Sequence, residues 1–297
     1  MITNLHEFPR KPTRVIVLGA GGFIGGASAR RLRSDGIEVV SLGRESCNLL
    51  AADAAARLTE ELHPEDVLIF VSAQAPVKNV AMLIENIRMG EAVCAALKNR
   101  PVAHVVYISS DAVYKDSAEP ISESSCAEPG SLHGVMHLTR EVMLRSEFSG
   151  PLALVRPTLT YGIDDPHNGY GPNRFRRLAA EGKEIVLFGQ GEEQRDHVAV
   201  DDIADLVRRI VLHRSTGIAN AVSGEIVSFR TLAEFITEQF TVPVAIKGSP
   251  RSGPMPHNGL RPFVPSAALT AFPGFSFTPW RKGVAAMCAE TSQAKER

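Results

Sequence analysis

Two groups of residues have types and spacings suited to chemistry. The first is Gly19-Ala-Gly-Gly22-Phe23-Ile24-Gly25, which follows the apolar run RVIVL at Arg14 to Leu18. A glycine-rich turn between a strand and a helix lets backbone N–H groups approach a pyrophosphate, and the helix N-terminus adds partial positive charge. Such a turn can also be a tight connection with no ligand, but its place at the first strand of a βαβ unit favours a bound dinucleotide. The second group is His133-Gly-Val-Met-His137. Residues at i and i+4 share one helix face. An imidazole, with an unperturbed pKa of about 6.5, can exchange a proton at neutral pH. The same pair could instead hold a metal ion, which needs a third ligand, Asp111 or His167 being the candidates. A site that binds as a sensor or scaffold without catalysing, or two merely solvated histidines, are the other readings.

These groups need a scaffold. Arg14 to Leu18, Glu38 to Leu42, Asp66 to Ser72, His104 to Ser109 and Pro151 to Val155 are short apolar runs that read as strands. Gly22 to Ser34, Ala52 to Leu62 and Ala81 to Lys98 read as helices between them. Continuous apolar strands alternating with helices predict an α/β fold, a parallel sheet covered on both faces. After about Arg156 the pattern changes. Asp164 to Asn173 is a loop dense in Gly, Pro and Asn, and Glu184 to Phe188 and Val242 to Ile246 are short, separated strands. Residues 1–163 are thus expected to form mainly the cofactor domain and 164–297 mainly a small substrate lobe, with some segments returning to the first. The polar end from about Ala289 predicts fraying.

Bulk properties exclude several classes. The 297 residues carry a formal net charge of -1, so neither a nucleic-acid nor a membrane partner is expected. The polar N-terminal stretch lacks a signal core, and no apolar run is long enough to span a bilayer. Cys47, Cys94, Cys126 and Cys288 are scattered without a CxxC pair, which argues against disulfides or a cysteine zinc site and fits a cytoplasmic location.

The spacing GxxGxxG resembles that of the extended short-chain dehydrogenase/reductase family of nucleotide-sugar epimerases, dehydratases and reductases. The likeness continues through EVVSLGR, FVSAQAPV, Asn86, ISSDAVY, RPTLTYG, GQGEEQRDHVAVDDIADL, NAVSGEIVSF and Leu260-Arg261-Pro262. It implies a Rossmann-type doubly wound parallel sheet with a small C-terminal substrate lobe. It also implies a nucleotide-sugar substrate and a homodimer formed through a helix bundle. Gly19, Gly22, Phe23, Ile24, Gly25, Asn48, Leu49, Ser72, Ala73 and Pro157 fall where the family holds its cofactor. Members that use NAD usually carry an acidic residue at the end of the second strand; here that place is Gly43, followed by Arg44. A guanidinium can bind a 2′-phosphate in bidentate fashion, so NADP(H) is favoured, while a plain surface arginine would leave NAD(H) open.

The same resemblance assigns chemistry. Ser110 matches the family's Ser/Thr, whose hydroxyl bonds the reacting sugar oxygen. The family's tyrosine is its acid or base, and the family's lysine binds the nicotinamide ribose and lowers the tyrosine pKa. The frame Pro129-Gly-Ser131-Leu-His133-Gly134-Val-Met-His137-Leu138-Thr-Arg-Glu141 is intact, but His133 stands for the tyrosine and His137 for the lysine. Asp111 matches the acid of the dehydratases, yet Ala112 replaces their glutamate, which disfavours dehydration and leaves epimerase or ketoreductase. Arg195 matches the arginine that grips the substrate diphosphate and Arg261 a second arginine near the nucleotide, with Asp196 expected to fix Arg195 and Asp201-Asp202 to cap the helix from Ile203. Leu159 stands where many members have a phosphate-contacting asparagine; Asn173 and Arg174 are candidate replacements. Tyr161 and Tyr170 are further candidate proton donors, Tyr161 as part of a structural YG turn.

Overall fold

Each apolar run of the first half becomes a strand, because alternate side chains can be buried on opposite faces of one sheet. The computed structural model describes residues 1–296, with side chains described through Gln293. In chain order the elements are β1 (Arg14–Leu18), α1 (Phe23–Ser34), β2 (Glu38–Leu42), α2 (Ala54–Glu61), β3 (Val67–Phe70), α3 (Val80–Asn99) and β4 (His104–Ile108). A short 3-10 turn, Asp111–Val113, precedes α4 (Leu132–Glu147), β5 (Leu152–Pro157), β6 (Leu159–Tyr161), α5 (Pro172–Ala180), β7 (Ile185–Phe188) and β8 (Gln194–Ala199). The rest comprises α6 (Val200–Leu212), β9 (Gly217–Ala221), β10 (Ile226–Ser228), α7 (Phe229–Thr237), β11 (Ile246–Ser249), β12 (Leu260–Arg261), α8 (Ser266–Ala271) and α9 (Trp280–Glu296).

The main sheet has the order β2-β1-β3-β4-β5-β9, and all its pairs are parallel. It is the Rossmann-type α/β sheet expected. Val15, Val17, Ile69 and Val106 pack on one face against Ile203, Leu206, Val207 and Ile210 of α6. Ile16, Leu18, Phe70 and Tyr107 pack on the other against Leu58 of α2, Val93 of α3 and Leu144 of α4. The strand order reverses between β1 and β3, so the loops after these two strands diverge and open a crevice at the carboxyl ends. The glycine loop leaves from one strand and Ser72-Ala73 from the other. A second core, around Tyr161, Phe175, Phe229 and Trp280, underlies the smaller sheet β10-β8-β12, with β6 beside β8 and β7 paired to β11.

Four local expectations are corrected. The strand expected over Val242 to Ile246 forms instead at Ile246–Ser249, paired with β7; Pro243 has no N–H to give a ladder. The end from Ala289 is helical to Glu296, and Oγ1 of Thr291 accepts from Arg176 at 2.5 Å. The helix expected from Ile203 starts at Val200, and Asp202 does not cap it; its carboxylate accepts from the N–H and Oγ1 of Thr278 at 2.7 and 2.8 Å. Asp196 does not fix Arg195: it accepts from Thr158, Ser223 and Gly224. No helix among the described residues is long and apolar enough to cross a membrane.

Candidate active site

A cleft of about 650 Å³ occupies the crevice. Gly19, Gly22, Phe23, Ile24, Arg44, Asn48, Leu49, Ser72, Ala73 and Pro157 line it on one side. Gly19 has φ 101°, and a Cβ there would meet the backbone N of Ser72 at 2.7 Å. Only glycine adopts that conformation without strain and lets the two loops approach. Gly25 acts from behind the loop, where a Cβ would run into the Gly19 carbonyl. α1 starts after Gly22, and among the described residues no side chain caps it; Gly21, Gly22, Phe23 and Ile24 at this end of the helix line the cleft. This cradle fits the pyrophosphate of a dinucleotide. Arg44 is exposed at the lip, and its guanidinium forms no hydrogen bond or ion pair among the described residues.

The far end of the cleft holds Ser110, His133 and His137. α4 positions the histidines. Its N-cap Ser131 accepts from the N–H of Gly134 at 3.1 Å. Gly134 is forced by its surroundings, since a Cβ would strike the Ala112 backbone, with the carbonyl carbon at 2.8 Å. The first turn of α4 is thereby clamped onto the turn that carries Ser110. Ser110 Oγ accepts from the N–H of Ala112 at 3.1 Å and donates to Asp111 at 3.3 Å. Beneath it Ser109 donates to Glu141, whose carboxylate also holds Arg156 at 2.8 and 2.5 Å. That buried pair ties α4 to β5.

The two imidazoles meet edge to face, with centroids 4.7 Å apart. Burial pushes the His133 pKa below its ordinary value, and the Asp111 carboxylate works in the opposite direction. Nδ1 of His133 is buried with no hydrogen-bond partner among the described residues. His137 is more deeply buried; burial, then His133 and Arg140, hold its pKa well below the ordinary value. Its Nδ1 is hydrogen-bonded to the Tyr107 hydroxyl at 2.7 Å. Among the described residues no group of three or more His, Cys, Asp or Glu side chains is arranged to hold a metal ion, so the metal reading of the pair finds no third ligand in Asp111 or His167.

Other expected residues lie elsewhere or are engaged. Arg261 is buried, donating to Asp111 at 3.1 Å, to the carbonyls of Asp111 and Tyr114, and to Asp116. Arg195 pairs with Glu193 at 3.2 Å and approaches Asp111 at 3.7 Å. None of Asp111, Arg195 and Arg261 is among the cleft-lining residues. Asn173 lines the cleft, but its amide is tied to the carbonyl of Thr160 and the N–H of Gly162. Arg174 is exposed. The Tyr170 hydroxyl accepts from the N–H of Phe188 at 3.0 Å and its ring packs on Phe175 and Phe229. Tyr161 is buried in the second core.

The model of the NAD dependent epimerase/dehydratase family matches residues 15–223. The chain belongs to that family. As a family member it shares 30% identity over 228 residues with a UDP-glucose 4-epimerase of Mycolicibacterium smegmatis, covering 65% of this chain and 71% of the relative. Its fold matches a GDP-L-fucose synthetase of Naegleria fowleri bound to NADP, with TM-score 0.82 at 18% identity over 100% of this chain and 99% of the other. A UDP-glucose 4-epimerase of Thermus thermophilus in complex with NAD matches with TM-score 0.80 at 21% identity, over 95% and 99%. These agree with the resemblance to the extended short-chain dehydrogenase/reductases, a group of enzymes, and with a nicotinamide cofactor. Four residues of this epimerase/dehydratase cleft are not singled out by the sequence: Gln74, Thr158 and Thr160 on its wall, and Tyr107 behind it. A polar residue just past the carboxyl end of a central strand is the signal that could have found the first two.

Proposed function

We propose that this protein is an NAD(P)-dependent nucleotide-sugar oxidoreductase, of epimerase or ketoreductase type, in which His133 replaces the family's tyrosine as acid and base. The observation that carries this is the placement of His133: a half-buried imidazole on the cleft wall, its pKa held below the ordinary value by burial, on a helix turn clamped to the Ser110 turn. The cofactor, when bound, supplies the hydride acceptor or donor. Ser110 holds the reacting sugar oxygen, and His133 takes a proton from that oxygen or returns it. Asp111 sets the Ser110 hydroxyl rather than acting as an acid, because its carboxylate is already shared by Ser110, Arg261 and Arg195. Of the two arginines, neither of which lines the cleft, Arg195 is the less completely buried, with 11% of its side chain exposed against 1% for Arg261, and is the better candidate for the substrate diphosphate; Arg261 supports Asp111. The exposed Arg44 favours NADP(H) over NAD(H). Free thiols at all four cysteines suit a cytoplasmic setting.

A homodimer is part of this proposal. A groove of about 740 Å³ between α3 and α4 is lined by Cys94, Val135, Leu138, Val142 and Met143. Val135 and Val142 stand exposed there; light scattering on the protein and on Val142→Lys checks the contact.

The alternative, a non-catalytic sensor or scaffold, draws on one observation: where the family has lysine, this chain has a buried histidine whose pKa burial holds well below the ordinary value. The deciding experiment is a panel of nucleotide sugars with NADP(H) or NAD(H), products being separated by chromatography with mass detection. An epimerase yields a product of unchanged mass, and a reductase one heavier by two hydrogens. Tight cofactor binding with no conversion across the panel would replace the enzyme reading with the sensor reading.

A further inference from the structure

Tyr107 sits on β4, fully buried on the face that packs against α3 and α4. Among the described residues its O–H meets one acceptor, Nδ1 of His137 at 2.7 Å. Two charged groups act on the phenol from nearby: the Arg140 guanidinium can only donate, and the Glu141 carboxylate is engaged by Ser109, Arg156 and Arg145. Arg140 is itself fixed: it donates to the carbonyls of Ser72 and Asn86 at 2.8 and 2.9 Å and lies over the Phe70 ring at 4.9 Å.

Counting hydrogens settles who donates to whom. If Nδ1–H of His137 donated to the phenol oxygen, the phenolic hydrogen would be buried with no acceptor, a desolvation penalty with nothing to offset it. The phenol therefore donates and Nδ1 accepts. The single ring hydrogen of a neutral His137 is then on Nε2, the nitrogen left to face the cleft that His137 lines. We propose that Tyr107 is a positioning residue that locks His137 in the Nε2–H tautomer, so that α4 presents a permanent neutral donor to the cleft one turn beyond His133.

The matching ligand group is an uncharged acceptor oxygen, such as a ribose or sugar hydroxyl. With Nδ1 occupied and Nε2 protonated, His137 has no free lone pair for a proton from its neighbour, and acid–base work falls to His133 alone. The ligand assignment rests on the proposed reading of the cleft, whereas the tautomer is a property of the free protein.

The test uses long-range proton–nitrogen NMR spectra of the full chain labelled with 15N-histidine and free of ligands. They are recorded from about pH 6 to about pH 8, the range in which an ordinary histidine titrates. His137 is assigned by the loss of its signals in His137→Gln. The expected result is an Nε2–H pattern for His137 that does not change with pH, and loss of that fixed pattern in Tyr107→Phe, which keeps the ring and removes only the hydroxyl. An Nδ1–H pattern in the unaltered protein, or an unchanged Nε2–H pattern in Tyr107→Phe, overturns the proposal. Should Tyr107→Phe fail to fold, the spectrum of the unaltered protein still decides. A failed product assay with the tautomer in place would remove the enzyme reading and leave this one standing.

Discussion

Adding one methyl group at Gly25 should weaken cofactor binding without any new contact to the cofactor. A Cβ at this position would collide with the Gly19 carbonyl, with the carbonyl carbon at 2.9 Å and Cα of Ala20 at 3.3 Å. Carbon pairs rest at about 3.5–4.0 Å, so the loop must retreat by roughly half an ångström or more. The obstacle is backbone and cannot rotate away. Retreat is also blocked on other sides: the N–H of Gly19 is bonded to Leu42 at 2.8 Å, and its Cα faces Ser72. The loop can yield only into the cleft. Overpacking of this kind costs about 1–3 kcal/mol, and if binding must restore the loop the cofactor affinity falls roughly 5- to 150-fold. NADPH fluorescence titration of Gly25→Ala measures it. Gly130→Ala is the matched control, because Gly130 is exposed and a Cβ there meets nothing within 4 Å. Gly25→Ala binding NADPH within about twofold of the unaltered protein would refute the steric reasoning, since even the lower strain figure corresponds to about fivefold.

His133→Gln should lower turnover by roughly 10²- to 10⁴-fold while NADPH affinity is kept; equal losses in both would point to a structural role. Burial depresses the His133 pKa, so the base form persists through neutrality. Turnover in the direction that needs a base should fall only as pH drops below about 6.5, which a kcat/KM profile shows. Arg44→Asp should cut NADPH affinity roughly tenfold or more, with a smaller effect on NADH; an unchanged ratio of the two dissociation constants would remove Arg44 from the 2′-phosphate. Glu141→Gln leaves Arg156 charged and buried, and should lower the unfolding free energy in urea by about 3–5 kcal/mol, with a loss below about 1 kcal/mol showing that the pair is dispensable.

The first five strands were legible because each is a short, largely apolar run closed by a turn; β3 and β4 are buried along their whole length, as burial on both faces imposes, while the edge strand β2 shows the pattern only in part. The glycine loop was legible because its spacing is demanded by close backbone approaches that the structure realises at Gly19 and Gly25. β9 was not. Its residues Gly-Ile-Ala-Asn-Ala are too small and mixed to announce a buried strand, and it pairs with β5 only because α6 delivers it there. The partners of Arg261 were equally hidden, since Asp111 lies 150 positions earlier in the chain. Tyr107 reads as bulk within HVVYI, and its hydroxyl acquires a purpose only when His137, 30 residues on, is brought beneath it.

The placement of α6 and β9 has a consequence for modularity. Both come from beyond residue 163, yet α6 covers one face of the main sheet and β9 closes its β5 edge, while Thr3 near the N-terminus bridges to Thr216 beside β9. A chain cut after Gly162 would strip α6 from a face that α1 alone then covers in part, and would leave an unpaired strand edge, the two features that drive sheets to aggregate. The two halves are dovetailed rather than strung in tandem. A lobe transplanted from another enzyme to change the substrate must therefore bring its own α6 and β9, or be spliced in at two seams on either side of them.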